Sequence, residues 1–129
     1  MTQPHSMAQQ IAQSAIAFEE KRLGRRPKSV TVLLGGDTLV ITMQGVLSQG
    51  EMVLAASPAG GAQLQEFHQH LFNHASDPLR QEIKRITGLT VCEDAKHTAT
   101  AAVQVFSAGT VVQVFLLAGR LPAESWEGP

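Results

Sequence analysis

The chain has 129 residues, which is the usual length of one domain and enough to form a hydrophobic core without disulfides or metal ions. Hydrophobic residues make up 43% and charged residues 16%, so the chain is apolar and poor in charge, which favours contact with a partner surface. The formal net charge of -1 excludes the long-range attraction that non-specific binding to nucleic acids or anionic membranes requires.

The first part of the chain is predicted as a helix followed by a β-hairpin. Ser6 is suited to cap a helix that continues to about Leu23, and Gly24 and Pro27 stop it. Two segments rich in β-branched residues follow, separated by residues that tolerate the positive φ angles of a tight turn. These predicted strands are residues 29–34 and 38–46, joined at Gly35-Gly36-Asp37.

The middle of the chain is predicted as helices. Ser48 precedes Glu51 by three residues, which is the spacing of a capping box and predicts a short helix to about Ala56. A longer helix follows, and Pro78 inside it predicts a kink or a restart. Gly88 ends the helix. Its predicted apolar face consists of Leu64, Phe67, Leu71, Ala75, Leu79, Ile83 and Ile86.

The last part is predicted as strands, over residues 90–94, 100–106 and 110–117, before a mobile tail over residues 119–129. The whole order, α-β-β-α-α-β-β, predicts one α+β domain over residues 1–118, with helices on one face of an antiparallel sheet of four to five strands. The last strand is apolar on both faces, so one face would meet solvent in a monomer. We therefore expect a symmetric homodimer.

A cluster of basic side chains follows the first helix, at Arg25, Arg26 and Lys28. Cations here complement the negative end of the helix dipole, which is the ordinary reason for such a cluster. Exposed arginines also suit carboxylate-like anions, so the alternative is a site for a small anion.

Histidine chemistry is the other candidate, because Glu66, His70 and His74 are spaced four apart and share one helix face. The spacing is not that of zinc-protease helices, so a solvated polar face is the simpler interpretation. No catalytic residue, cofactor or nucleic-acid site is predicted. The sequence also lacks a segment that would cross a bilayer and has no signal peptide, so we expect a cytoplasmic protein with no direct membrane insertion.

Taken together, these signals resemble the MpsC-like family of small bacterial proteins, long catalogued as a domain of unknown function. The resemblance extends over residues 11–91 and depends on spacing and helix or turn signals. The positions that carry it are Gly24, Pro27, Gly45, Leu47, Glu51, Pro78 and Gly88. The chain differs where it has Arg26 before Pro27 and in longer strands after Val91.

The resemblance implies a non-catalytic accessory or regulatory role. Members of this family are associated with a membrane-potential-generating, cation-translocating system linked to uptake of dissolved inorganic carbon, so the implied partners are membrane transporter subunits. Two alternatives remain from the residues themselves: a module that senses a small anion such as bicarbonate, and a histidine-dependent enzyme or metal-binding protein.

Overall fold

A computed structural model describes residues 6–92 and 101–129, without the side chains of Leu23, His74, Ala75 and Ala101. Within this part, the chain forms four helices and three strands. In chain order they are α1 (Met7–Leu23), β1 (Ser29–Gln44), α2 (Gln49–Ala55), α3 (Pro58–Ala75), α4 (Asp77–Thr87), β2 (Ala101–Val105) and β3 (Val111–Gly128). The predicted α+β class is confirmed, but the sheet has three strands in the described residues instead of four to five.

The predicted helix ends are confirmed where local chemistry decides them. The Ser6 hydroxyl accepts a hydrogen bond from the third residue of its helix, and Gly24 closes α1 in the left-handed conformation at φ 68°. The predicted restart near Pro78 also occurs, because α3 ends at Ala75 and α4 begins at Asp77 with the proline in its first turn. Gly88 then ends α4 in the same way as Gly24 ends α1.

The predicted hairpin at Gly35-Gly36-Asp37 is wrong. Residues 29–44 form the single strand β1, which pairs antiparallel with β3 on both sides of the glycines. Between Leu34 and Thr38 the register shifts, since β1 advances four residues while β3 advances eight. The glycines therefore accommodate an irregularity within a strand. A reversal is not needed, because β3 is long enough to provide partners for both halves of β1.

The segment predicted as a mobile tail is the second half of β3, which continues to Gly128. Its Glu124 carboxylate accepts a 2.6 Å hydrogen bond from the backbone N–H of Ala8, in the first turn of α1. This carboxylate satisfies a helix N–H that has no partner within the helix, and its charge suits the positive end of α1. Trp126, which follows two residues later, packs against the core. Tertiary contacts thus order a segment whose own sequence, with Pro122 in it, is a poor strand former.

The central strand of the sheet is β3, and the strand order is β1-β3-β2. The pairing of β2 with Val111–Phe115 is antiparallel. The strand predicted over residues 90–94 is reduced to one isolated bridge between Val91 and Leu117. Thr90 and Cys92 flank this bridge outside any strand, while residues 93–94, and the first residue of the next predicted strand, lie outside the described residues.

The helices cover one face of the sheet, as predicted, and the opposite face has no helix upon it in the described residues. On the covered side, α1 contacts β1 and β3, while α3 contacts β2. Leu39, Ile41 and Phe115 point into this core and are buried. On the other side, alternate residues form cross-strand rows. The rows are Ala102–Val114–Val40, Gln104–Val112–Thr42 and Leu116–Thr38, which together we call the outer sheet face.

Candidate functional site

The α1 helix contains a buried ion pair. Arg22 Nη2 donates to both carboxylate oxygens of Glu19, at 2.8 and 3.1 Å, and the Glu19 side chain is only 2% exposed. The same guanidinium lies over the ring of Phe18, 4.9 Å from its centroid, which is a cation–π contact. Nε and Nη1 of Arg22 are buried and have no hydrogen-bond partner among the described residues. These two nitrogens of Arg22 carry three N–H donors that no described residue pairs.

A second pair, in which the histidine is buried and the glutamate is partly exposed, joins α2 to α3. His68 is 3% exposed, and its Nε2 lies 3.1 Å from Oε2 of Glu51. Since an ionised carboxylate only accepts, His68 donates this hydrogen bond. The other carboxylate oxygen of Glu51 accepts from the Ser48 backbone N–H, and the Ser48 hydroxyl accepts from the Glu51 N–H, which completes the predicted capping box. Glu51 thus holds the start of α2 against α3.

The two pairs form one buried polar cluster, defined by Glu19, Arg22, Glu51 and His68. Burial raises the pKa of the Glu19 carboxyl, although Arg22 and the more distant His68 oppose this effect. Burial also disfavours ionisation of Glu51, but hydrogen bonds from Ser48 and His68 outweigh it and hold the pKa of Glu51 below its ordinary value. The cluster therefore contains two carboxyl groups whose environments shift their pKa values in opposite directions.

The sequence analysis did not predict the burial of this cluster. Glu19 and Arg22 lie in a run of charged residues that is typical of a helix surface, and the polar side of the long helix was interpreted as solvated. In the structure Phe67 is 53% exposed, whereas His68 is buried one position further along. The signal was available in the spacing, because Glu19 follows the buried Ala15 by four residues, and His68 lies midway between Leu64 and Phe72 at the same spacing.

The predicted basic cluster divides into two parts. Arg25 and Lys28 line one cleft of about 540 Å³, between the start of β1, α2 and the turn before β3. Arg25 Nη1 also donates to the backbone carbonyl of Leu47, at 3.3 Å. Arg26 does not line this cleft, and its guanidinium pairs with the exposed Glu20, at 3.3 Å. We call the pocket of Arg25 and Lys28 the basic cleft, and no acidic side chain among the described residues lines it.

Two of the family positions, Gly45 and Leu47, line the basic cleft. Lys28 lies over Gly45, where a Cβ atom would be 2.5 Å from the lysine Cγ, so a side chain at residue 45 would displace Lys28. Pro27 and Leu47 are buried beside it. These residues therefore shape the basic cleft and the start of α2, and we assign no chemistry to them.

The predicted metal candidates lie on α3. Glu66 and His70 are exposed, and the side chain of His74 is outside the described residues. In the part of the chain that the structure describes, no group of three histidine, cysteine, aspartate or glutamate side chains is arranged to hold a metal ion.

The fold and these sites define a small α+β protein with a helix-free sheet face, a buried polar cluster and a basic cleft. The chain matches the model of the family described as "Na+-translocating membrane potential-generating system (MpsC)" over residues 3–116. It therefore belongs to the MpsC family, and the match extends beyond the region that carried the resemblance. No curated protein and no solved structure matched the chain. None of the described helices is both long and apolar enough to cross a bilayer.

Proposed function

We propose that this chain is a non-catalytic, cytoplasmic accessory or regulatory protein of a Na+-translocating, membrane-potential-generating system. Membership of the MpsC family supports the link to such a system. The observation that carries the proposal is the outer sheet face, whose rows of Val40, Val112, Val114 and Leu116 contain no charged side chain. An apolar, uncharged surface of this kind is typical of protein contacts. We assign it to a membrane subunit of the system.

The test is affinity capture from gently solubilised membranes of the native host, with identification of the captured proteins by mass spectrometry. Val114→Lys places a charge at the centre of the outer sheet face, whereas Gln63→Lys places the same charge on the exposed side of α3. We expect the wild type and Gln63→Lys to capture membrane subunits of the Na+-translocating system in stoichiometric amounts, and Val114→Lys to lose them.

Capture that Val114→Lys does not change would contradict the assignment of this face. Recovery of the chain alone, as a soluble dimer that Val114→Lys makes monomeric, would assign the outer sheet face to a second copy. That outcome would support the homodimer predicted from the sequence and refute the accessory contact.

A second candidate function, sensing of a small bicarbonate-like anion, is favoured by the basic cleft. Arg25 and Lys28 share it without an acidic neighbour, which suits an anion. Calorimetric titration with bicarbonate tests this function. Arg25→Gln should abolish the heat, while Arg26→Gln, which removes an equal charge outside the cleft, should keep it. No heat from the wild type at millimolar bicarbonate would refute the function.

A further inference from the structure

The short helix α2 exposes its apolar side chains to solvent. Met52, Val53 and Leu54 are consecutive, and they are 40, 73 and 42% exposed. Ala55 is the only residue of this helix that is buried. A surface helix ordinarily turns its apolar side towards the core, so α2 reverses the usual arrangement.

The turn between β2 and β3 enlarges this apolar surface. Phe106 is 49% exposed and lies across a shallow cleft from the α2–α3 junction. At Gly109, in the same turn, a Cβ atom would be 2.5 Å from the Met52 sulfur, so α2 packs directly against the turn. We call the surface formed by Met52, Val53, Leu54 and Phe106 the apolar tip.

Charge is distributed unevenly around the apolar tip. In the part of the chain that the structure describes, no charged residue lines the cleft between Phe106 and the α2–α3 junction. On the other side, Met52 and the turn share the basic cleft with Arg25 and Lys28, so exposed cations border the tip. The stem of Lys28 lies along Gly45, and the residue as a whole is exposed, as is usual for a lysine whose charged end stays in water.

From this arrangement we infer that the apolar tip inserts into the interface of an anionic lipid membrane, with Arg25 and Lys28 against the lipid phosphates. Side chains without polar atoms enter the acyl boundary at low cost, and the helix satisfies most of its own backbone groups. Basic residues beside them add attraction to anionic headgroups. The net charge of -1 does not oppose this contact, because the two cations Arg25 and Lys28 beside the tip outnumber the one carboxylate of α2, that of Glu51, which pairs with His68.

The experiment uses the purified full chain and vesicles alone, so it does not depend on the proposed membrane subunit. Sedimentation is compared with vesicles of phosphatidylglycerol mixed with phosphatidylcholine and with vesicles of phosphatidylcholine only. We expect binding to the anionic vesicles that weakens as salt is added. The double variant Val53→Ser/Leu54→Ser should lower the affinity about tenfold. Lys28→Gln should lower it about fivefold, and on anionic vesicles only.

Two matched variants control for composition and charge. Leu33→Ser removes a 51% exposed leucine from β1, and Lys84→Gln removes an exposed cation from α4. Both should bind vesicles as the wild type does. Absence of wild-type binding to anionic vesicles, or equal losses in the controls, would overturn the inference. A soluble dimer that only Val53→Ser/Leu54→Ser disrupts, without vesicle binding, would assign the tip to a second copy instead.

Discussion

Truncation of Glu51 tests the buried polar cluster directly. Glu51→Ala removes half of a capping box, which costs about 1 kcal/mol. It also leaves Nε2 of His68 without its carboxylate partner, which costs a further 1–3 kcal/mol or so for a buried polar group. Because Glu51 is 28% exposed, water can reach the vacated position, and the lower end applies. We expect the free energy of unfolding to fall by about 2 kcal/mol, which corresponds to roughly 8 °C in Tm.

Urea unfolding at pH 7, followed by the fluorescence of Trp126, measures this loss. Ser48→Ala removes the other half of the capping box and leaves the contact with His68, so it should cost only about 1 kcal/mol. Glu66 is an exposed glutamate on α3, two residues before His68. Glu66→Ala should therefore change stability by less than about 0.5 kcal/mol. If Glu51→Ala costs no more than Ser48→Ala, the contact with His68 contributes nothing and our reasoning is refuted.

The pH dependence provides an independent check. The folded pKa of Glu51 lies below its ordinary value of 4.5, so its contribution is present above that value and disappears as the pH falls through the folded pKa. Glu51→Gln keeps the shape of the side chain but cannot ionise. The difference in unfolding free energy between wild type and Glu51→Gln should therefore be complete at neutral pH and shrink in acid. A difference that grows in acid would contradict the assignment.

Two further substitutions test other parts of the fold. Trp126→Ala should lower the free energy of unfolding by about 2 kcal/mol, which is less than the loss for a fully buried ring, because Trp126 is only partly buried. Urea unfolding followed by circular dichroism measures this loss. A loss under about 0.5 kcal/mol would show that the end of β3 does not stabilise the core. Burial raises the folded pKa of Glu19, so the wild type loses stability as the pH rises through the folded pKa of this group. Glu19→Gln cannot ionise, so its stability relative to the wild type should increase from acid to neutral pH. Denaturation curves over this range would contradict the burial argument if the difference moved the other way.

The sequence predicted features that depend on a few neighbouring residues. The capping box of Ser48 and Glu51, the helix end at Gly88 and the restart at Pro78 all follow from local hydrogen bonds or backbone angles. Each is specified within a few residues, so one sequence suffices to find it.

Features that depend on distant partners were not predicted. Residues 29–44 are one strand only because the end of β3 pairs with their first half. That end contains Pro122 and alternating polar residues, and no local rule makes it a strand. Glu19 and His68 were missed for a related reason. Each occupies an apolar stripe, and only the opposite member of its pair, Arg22 or Glu51, makes its burial acceptable.

The extent of the family match separates the residues of the proposed contact surfaces from the end of β3. The buried polar cluster, the basic cleft, the apolar tip and the outer sheet face all lie within residues 3–116. The residues of β3 beyond 116, with Glu124 and Trp126, lie outside the match and contact α1 and the core. Ala123, Glu124 and Ser125 line a groove with Thr38 and Val40 of the outer sheet face, whereas Trp126 packs against the core. Trp126→Ala should therefore weaken the fold without changing capture of membrane subunits or vesicle binding by the folded protein. A loss of either binding activity in folded Trp126→Ala would show that this separation does not hold.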